Sequence, residues 1–84
     1  MHVAAIHTAA EICFLTAAAS AAELDRRVAE YVRAQVDDRL WPDDAREVHA
    51  LLDAGRLRDA TTLYFSAGTR WDRQMLVTSV VESE

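Results

Sequence analysis

The side chains that could carry out chemistry are few and widely spaced. The three histidines are His2, His7 and His49, and His7 is followed four residues later by the carboxylate of Glu11. On a helix this spacing places both side chains on one face, where a surface pair is far commoner than a metal site. The single cysteine, Cys13, has no histidine or arginine close in sequence to activate its thiolate, so we expect a small buried apolar side chain.

Motifs that specify an enzyme are missing as well. The sequence has no glycine-rich phosphate loop, no nucleophile elbow and no zinc motif. A chain of 84 residues also rarely encloses a pocket of substrate size. We therefore expect no enzymatic activity, no catalytic residue, no metal site and no cofactor.

Carboxylates are concentrated on both sides of a Trp-Pro pair in the middle of the chain. An acidic surface beside an exposed tryptophan favours binding to a basic, often nucleic-acid-binding, surface of another protein. The alternative is a solvated loop with ordinary helix capping. We call this set of residues the acidic strip, and it consists of Asp37, Asp38, Trp41, Asp43, Asp44 and Glu47.

The net charge of −5 bears on the class of partner. Phosphate backbones are bound by concentrated basic surfaces, so direct nucleic-acid binding is not expected. The leading expectation is a non-enzymatic protein–protein interaction module. Antitoxins, immunity proteins and phage-encoded inhibitors of host defence, such as anti-CRISPRs, are small acidic proteins of this kind. An accessory subunit of a larger enzyme is a further alternative.

The alternative from a different class is a small dimeric DNA-binding regulator. Residues 60–81 have the length of a helix-turn-helix with Gly68 in the turn. The second helix would then present Arg70, Arg73 and Gln74 to a DNA groove. Gln74, however, falls near a position where such a helix needs an apolar residue facing inward.

Helix-forming residues dominate, and only two glycines and one proline interrupt them. A chain of β-hairpins needs turn residues more often than this. The predicted fold class is therefore all-α. The pairs Thr8–Glu11 and Ser20–Glu23 have capping-box spacing and favour a long alanine-rich N-terminal helix over residues 8–40, continuous or jointed near Ser20. A short strand over 3–6 is an alternative that would need a pairing strand from a second chain.

Shorter helices are predicted after this first one. Pro42 suits the first turn of a helix, and Gly55 and Gly68 suit the left-handed residue that ends one. The predicted architecture is a bundle of three to four helices in one domain, residues 1–84. Its later helices run from Pro42 to about Ala54, over about 57–67 and over about 70–81.

Residues 48–67 resemble a helical hairpin of the tetratricopeptide family. The resemblance appears once, whereas true arrays need several repeats to bury a core. It implies an antiparallel helix pair here and nothing about peptide binding. The matching positions are Leu52, Gly55, Leu57, Ala60, Tyr64 and Ala67.

The alanine-rich segment 9–22 is the most distinctive feature of the sequence. Its larger residues, Ile12, Phe14 and Leu15, would spread around a helix, and a helix that is apolar on nearly all sides must be covered on nearly all sides. A chain this short has a thin core, so we expect a homodimer or a complex with a partner protein. A monomer in which the other helices wrap this one is the alternative. The predicted oligomer interface consists of Ala10, Cys13, Phe14, Ala17, Ala18 and Ala21.

The same apolar run resembles a targeting segment in part. Its residues 17–20 are typical of a signal-peptidase site, but no lysine or arginine precedes the run and Glu11 interrupts it. We expect no signal peptide and no membrane span. The expected location is cytoplasmic, in keeping with a single cysteine.

Overall fold

The fold is α+β, so the all-α helical bundle predicted from the sequence is wrong. The computed structural model describes residues 1–67 and 73–82. Three strands form one antiparallel sheet in the order β2-β1-β3. The elements in chain order are β1 (His2–His7), β2 (Ile12–Ala18), α1 (Ala21–Arg39), α2 (Pro42–Asp53), α3 (Leu57–Ser66) and β3 (Met75–Val80).

The alanine-rich N-terminal segment is a β-hairpin rather than a long helix. Strands β1 and β2 pair antiparallel, with His2 opposite Ala18 and Ile6 opposite Phe14. The short strand considered for residues 3–6 is therefore real, and both strands that flank it come from the same chain. Alanine favours a helix and is depleted in strands, so strand pairing and burial override its local preference here.

The turn between β1 and β2 explains why the capping pattern at Thr8 was misleading. The Thr8 hydroxyl accepts hydrogen bonds from the backbone N–H groups of Ala10 and Glu11, at 3.2 and 3.3 Å. The Thr8 N–H donates to the Glu11 carbonyl at 2.9 Å. A threonine makes the same side-chain bonds in a turn as at a helix start, so the local pattern does not distinguish the two.

The second capping pattern does begin a helix. The Ser20 hydroxyl accepts from the Glu23 N–H at 3.2 Å, and α1 follows directly. Every fourth residue from Leu24 to Val36 is then buried, as the apolar period predicted. The predicted joint near Ser20 is thus the boundary between the sheet and the first helix.

The helices α2 and α3 form the helical pair that the sequence indicated. Pro42 is the first residue of α2, and Gly55 has a φ of 77° in the connection to α3. The two helices pack on each other, and α3 also packs on α1. This part of the prediction is confirmed.

The C-terminal helix predicted over about 70–81 is wrong for the part that the structure describes. Met75–Val80 is strand β3, antiparallel to β1. β-Branched residues such as Val77 and Val80 suit a strand once a pairing edge is available. The predicted helix end at Gly68 lies outside the described residues.

One cluster of buried apolar residues lies between the helices and one face of the sheet. The sheet contributes Ala4, Ile6 and Ala18 to it, and α1 packs directly on β1 and β2. Within residues 1–67 and 73–82, no helix is both long and apolar enough to cross a membrane.

Candidate interaction surface

The sheet has a second face that no helix among the described residues covers. Along β1, Ala4 and Ile6 are fully buried, so the residues between them point away from the core. On that outward side Leu15, Met75 and Val77 are 65%, 42% and 54% exposed. We call this surface the open face; its residues are Val3, Ala5, His7, Ile12, Leu15, Ala17, Met75, Val77 and Ser79.

The strand register brings the apolar side chains of the open face side by side. Ala5 lies opposite Leu15 on β2 and opposite Val77 on β3, which forms the central row. His7 lies between Ile12 and Met75 in the next row. Directly opposed residues are close enough for their side chains to touch, so the exposed apolar groups form a continuous patch.

The open face also carries no acidic or basic residue apart from histidine. None of the described strands contains Asp, Glu, Lys or Arg, so the carboxylates and guanidinium groups of the described residues lie outside the sheet. Three strands about 4.8 Å apart and six residues long give a footprint of roughly 300 Å². Apolar patches of this size are often functional surfaces.

The predicted oligomer interface is not a single stripe, because its residues are not on one helix. Phe14 and Ala18 face the core, and the Phe14 ring stacks on Tyr31 at 4.7 Å between centroids. Ala17 is on the open face, and Ala10 is exposed in the turn. Cys13, expected to be buried, is half-buried in β2, and Ala21 begins α1.

Sequence reasoning missed the residues that dominate the open face, Leu15, Met75 and Val77. The sequence did contain a sign against the helix predicted from Thr8 onward. Apolar residues recur every fourth position after Ser20, but after Thr8 they do not, since Ile12 is followed by Phe14 and Leu15. That break in the helical period removes the main argument for a helix at this position.

The acidic strip lies at the junction of α1 and α2. In sequence, its aspartates lie on both sides of Trp41, whose side chain is 54% exposed. The Asp37 carboxylate lies 2.9 Å from His49 Nε2, and that of Asp43 lies 3.7 Å from Arg46. Both carboxylates therefore have basic neighbours on α2, while Asp38 and Glu47 are also exposed and Asp44 is partly so.

Of the three residues proposed for DNA contact, the two that the structure describes do not form a recognition surface. Arg70 lies outside the described residues. Arg73 is exposed and donates to the Phe65 carbonyl at 3.2 Å. Gln74 is only 2% exposed, so its side chain does not reach a groove, and the strand that follows replaces the predicted recognition helix.

Gln74 instead connects strand β3 to two helices. Its Nε2 donates to the Tyr31 hydroxyl at 2.7 Å, and its Oε1 accepts from the Tyr64 hydroxyl. Burial, together with the neighbouring Tyr31, raises the pKa of the Tyr64 phenol above its ordinary value. Tyr64 therefore stays a neutral hydrogen-bond donor beyond the pH of about 10 at which a free tyrosine ionises.

A cleft of about 610 Å³ lies between β3 and the helices α1 and α3. Arg58, Arg73 and His2 line it, and Asp25 is a carboxylate in its wall. The Arg58 guanidinium contacts the Asp25 carboxylate at 3.0 Å. This corner of an acidic protein is locally basic.

The groups that could hold a metal ion do not gather in the described part of the chain. No set of three or more His, Cys, Asp or Glu side chains is suitably placed there. His7 and Glu11, expected on one helix face, lie instead at a strand end and in the following turn, and His7 Nδ1 is 3.1 Å from the Thr8 carbonyl.

Comparison with protein-family models, curated proteins and solved structures found no match to this chain. Its surfaces are therefore the basis for assigning a function.

Proposed function

We propose that this protein is a non-enzymatic protein-interaction module that self-associates through its open face. The observation that carries the proposal is that face: apolar, free of acidic and basic residues other than histidine, and left uncovered by every described helix. Leu15 and Val77 are exposed to water, and burying them against a second surface would be favourable in free energy.

The charge distribution supports a second copy as the occupant of this face. Two molecules that each carry a net charge of −5 repel one another, and the repulsion is weakest where surfaces without carboxylates meet. Two sheets packed face to face place their side chains in a layer about 10 Å thick. The open face offers less than the roughly 800 Å² per partner of a standard interface, so the expected dimer is weak and depends on concentration.

The test is the oligomeric state of variants with a charge on the open face. Light scattering and sedimentation from micromolar to millimolar concentration should show a reversible dimer for the natural chain. Leu15→Glu and Val77→Glu should be monomeric with unchanged circular dichroism. Ala34→Glu, which adds the same charge on an exposed position of α1, should still dimerise. A natural chain that is monomeric throughout this range contradicts the proposal.

The acidic strip is proposed as a second surface, which binds a basic protein surface. Its support is the exposed side chain of Trp41 in a segment with five carboxylates, since tryptophan is enriched among the residues that carry most of the binding energy of an interface. The proposed class is that of antitoxins, immunity proteins and phage-encoded inhibitors of host defence, in which an acidic face would compete for a basic, often nucleic-acid-binding, surface. A cytoplasmic location is part of the same proposal, and its support is that a single cysteine suits a reducing compartment.

A matched pair of charge reversals tests the acidic strip. Asp43→Arg changes the strip, whereas Asp53→Arg changes the other end of α2; each aspartate lies beside an arginine. A partner captured from the native host should be retained by Asp53→Arg and lost by Asp43→Arg. Equal retention by both variants means that the strip is only a solvated, helix-capping surface.

A further inference from the structure

We propose that the free edge of β3 and the cleft beneath it bind an extended acidic segment of a partner protein as a fourth strand of the sheet. This inference goes beyond self-association and uses other residues. Its occupant is a strand with a carboxylate on the side facing the cleft.

Within the described residues, the β3 edge lacks the bulge, the proline and the charged side chains that block strand addition. Among the described elements β3 pairs only with β1, and its register from Met75 to Val80 has no bulge. It contains no proline and no acidic or basic residue. Such an edge is a template for another strand. The β2 edge differs, because its register shifts near Ile12.

The cleft provides room for the side chains of an added strand. Helix α1 packs on β1 and β2, whereas the inner side of β3 borders the cleft through Leu76, Thr78 and Val80. Thr62 and Phe65 of α3 form the opposite wall. Since alternate residues of a strand point to one face, every second side chain of the added segment would enter this space.

The positive charge at the cleft favours an acidic partner segment. Arg58 and Arg73 stand at the cleft with His2, and Asp25 is the one carboxylate among its described lining residues. The Arg58 side chain is 75% exposed even while it contacts Asp25. A carboxylate on the incoming strand would find two guanidinium groups within the cleft. Strand β3 of a second copy has no carboxylate to offer.

The experiment uses the full chain and a displayed library of random ten-residue peptides. Selected peptides should be rich in β-branched residues with Asp or Glu at alternate positions. The selected peptide with the highest affinity, made synthetically, should shift the backbone amide resonances of residues 75–80. Arg58→Gln combined with Arg73→Gln should weaken its binding by about tenfold or more, equivalent to at least about 1.4 kcal/mol.

Control variants separate this site from other surfaces. Arg33→Gln with Arg46→Gln removes the same charge outside the cleft and should leave the affinity unchanged. Thr78→Trp fills the cleft from an exposed position and should abolish binding. Leu15→Glu should still bind the peptide, so a failure of self-association is distinguishable. The proposal is overturned if no peptide is enriched, if acidic residues are not preferred, or if the shifted amides lie in β2.

Discussion

Gln74 shows how one buried polar side chain ties the C-terminal strand to the rest of the molecule. It sits between Tyr31 of α1 and Tyr64 of α3 and hydrogen-bonds to both hydroxyls. The helical reading of the sequence already put position 74 near an inward-facing site. It did not indicate the two tyrosines, which are 43 and 10 residues away, because contacts across such distances arise only when the chain folds.

Replacing Gln74 with leucine should destabilise the protein despite the similar volume. The Tyr31 and Tyr64 hydroxyls would lose their buried partner, at a cost of about 1–3 kcal/mol. Urea denaturation measures the change in the free energy of unfolding. Gln35→Leu, at a half-buried glutamine of α1, is the control and should have a smaller effect. Equal losses for the two variants would mean that the hydrogen bonds contribute nothing specific.

The raised pKa of Tyr64 makes stability fall at alkaline pH. In the unfolded chain a tyrosine ionises near pH 10, with a pKa of about 10, whereas burial keeps the folded Tyr64 neutral beyond that point. Its contribution is therefore complete below about pH 10 and is lost as the pH rises, by at most about 1.4 kcal/mol per pH unit.

The measurement is the free energy of unfolding at several pH values from about 9 to 11. The natural chain should lose more stability over this range than Tyr64→Phe, which cannot ionise. Parallel losses in the two proteins would assign the alkaline sensitivity to other groups.

The helices after Ser20 form where local signals in the sequence predict them, whereas the strands form where no local signal predicted them. A capping serine, an apolar residue every fourth position, Pro42 at a helix start and Gly55 in a connection are local signals with local causes. Strands depend instead on pairing with distant segments. The β1 sequence of alanines flanked by Val3 and Ile6 is compatible with a helix until β2 and β3 supply its hydrogen-bonding partners.

Gly55 offers a direct test of one local signal. Its φ of 77° is costly for a residue with a β-carbon, although no atom lies within 4 Å of where that carbon would be. Gly55→Ala should therefore lower the free energy of unfolding by about 1 kcal/mol through backbone strain alone. Gly55→Asn should cost less, because asparagine tolerates this conformation. Thermal denaturation of both variants measures the difference, and an unaffected alanine variant would refute the explanation.

The whole molecule separates its polar and apolar surfaces by layer. The helices carry most of the acidic residues, and ion pairs such as Arg33–Asp53 and Arg58–Asp25 connect one helix to another. Exposed pairs of this kind contribute little stability each. The sheet carries the exposed apolar surface, so the reason to expect a partner lies on its open face rather than around an N-terminal helix.

A dimer through the open face should make thermal stability depend on protein concentration. Association stabilises the folded state by mass action, so the melting temperature of the natural chain should rise as the protein is concentrated. Leu15→Glu should melt at one temperature at all concentrations, and Ala34→Glu should behave like the natural chain. A melting temperature independent of concentration in all three proteins would argue against self-association.

The sequence by itself determined the net charge, the acidic strip, the body of α1 after Ser20, helices α2 and α3 with their boundaries near Pro42 and Gly55, and an excess of apolar residues near the N-terminus. The tertiary structure decided that these residues belong to a sheet and which side of it stays uncovered. The physical reason is the range of the interactions. Helix periods and caps act within four or five residues, whereas β1 pairs with a strand more than sixty residues away, and only that pairing selects the strand conformation.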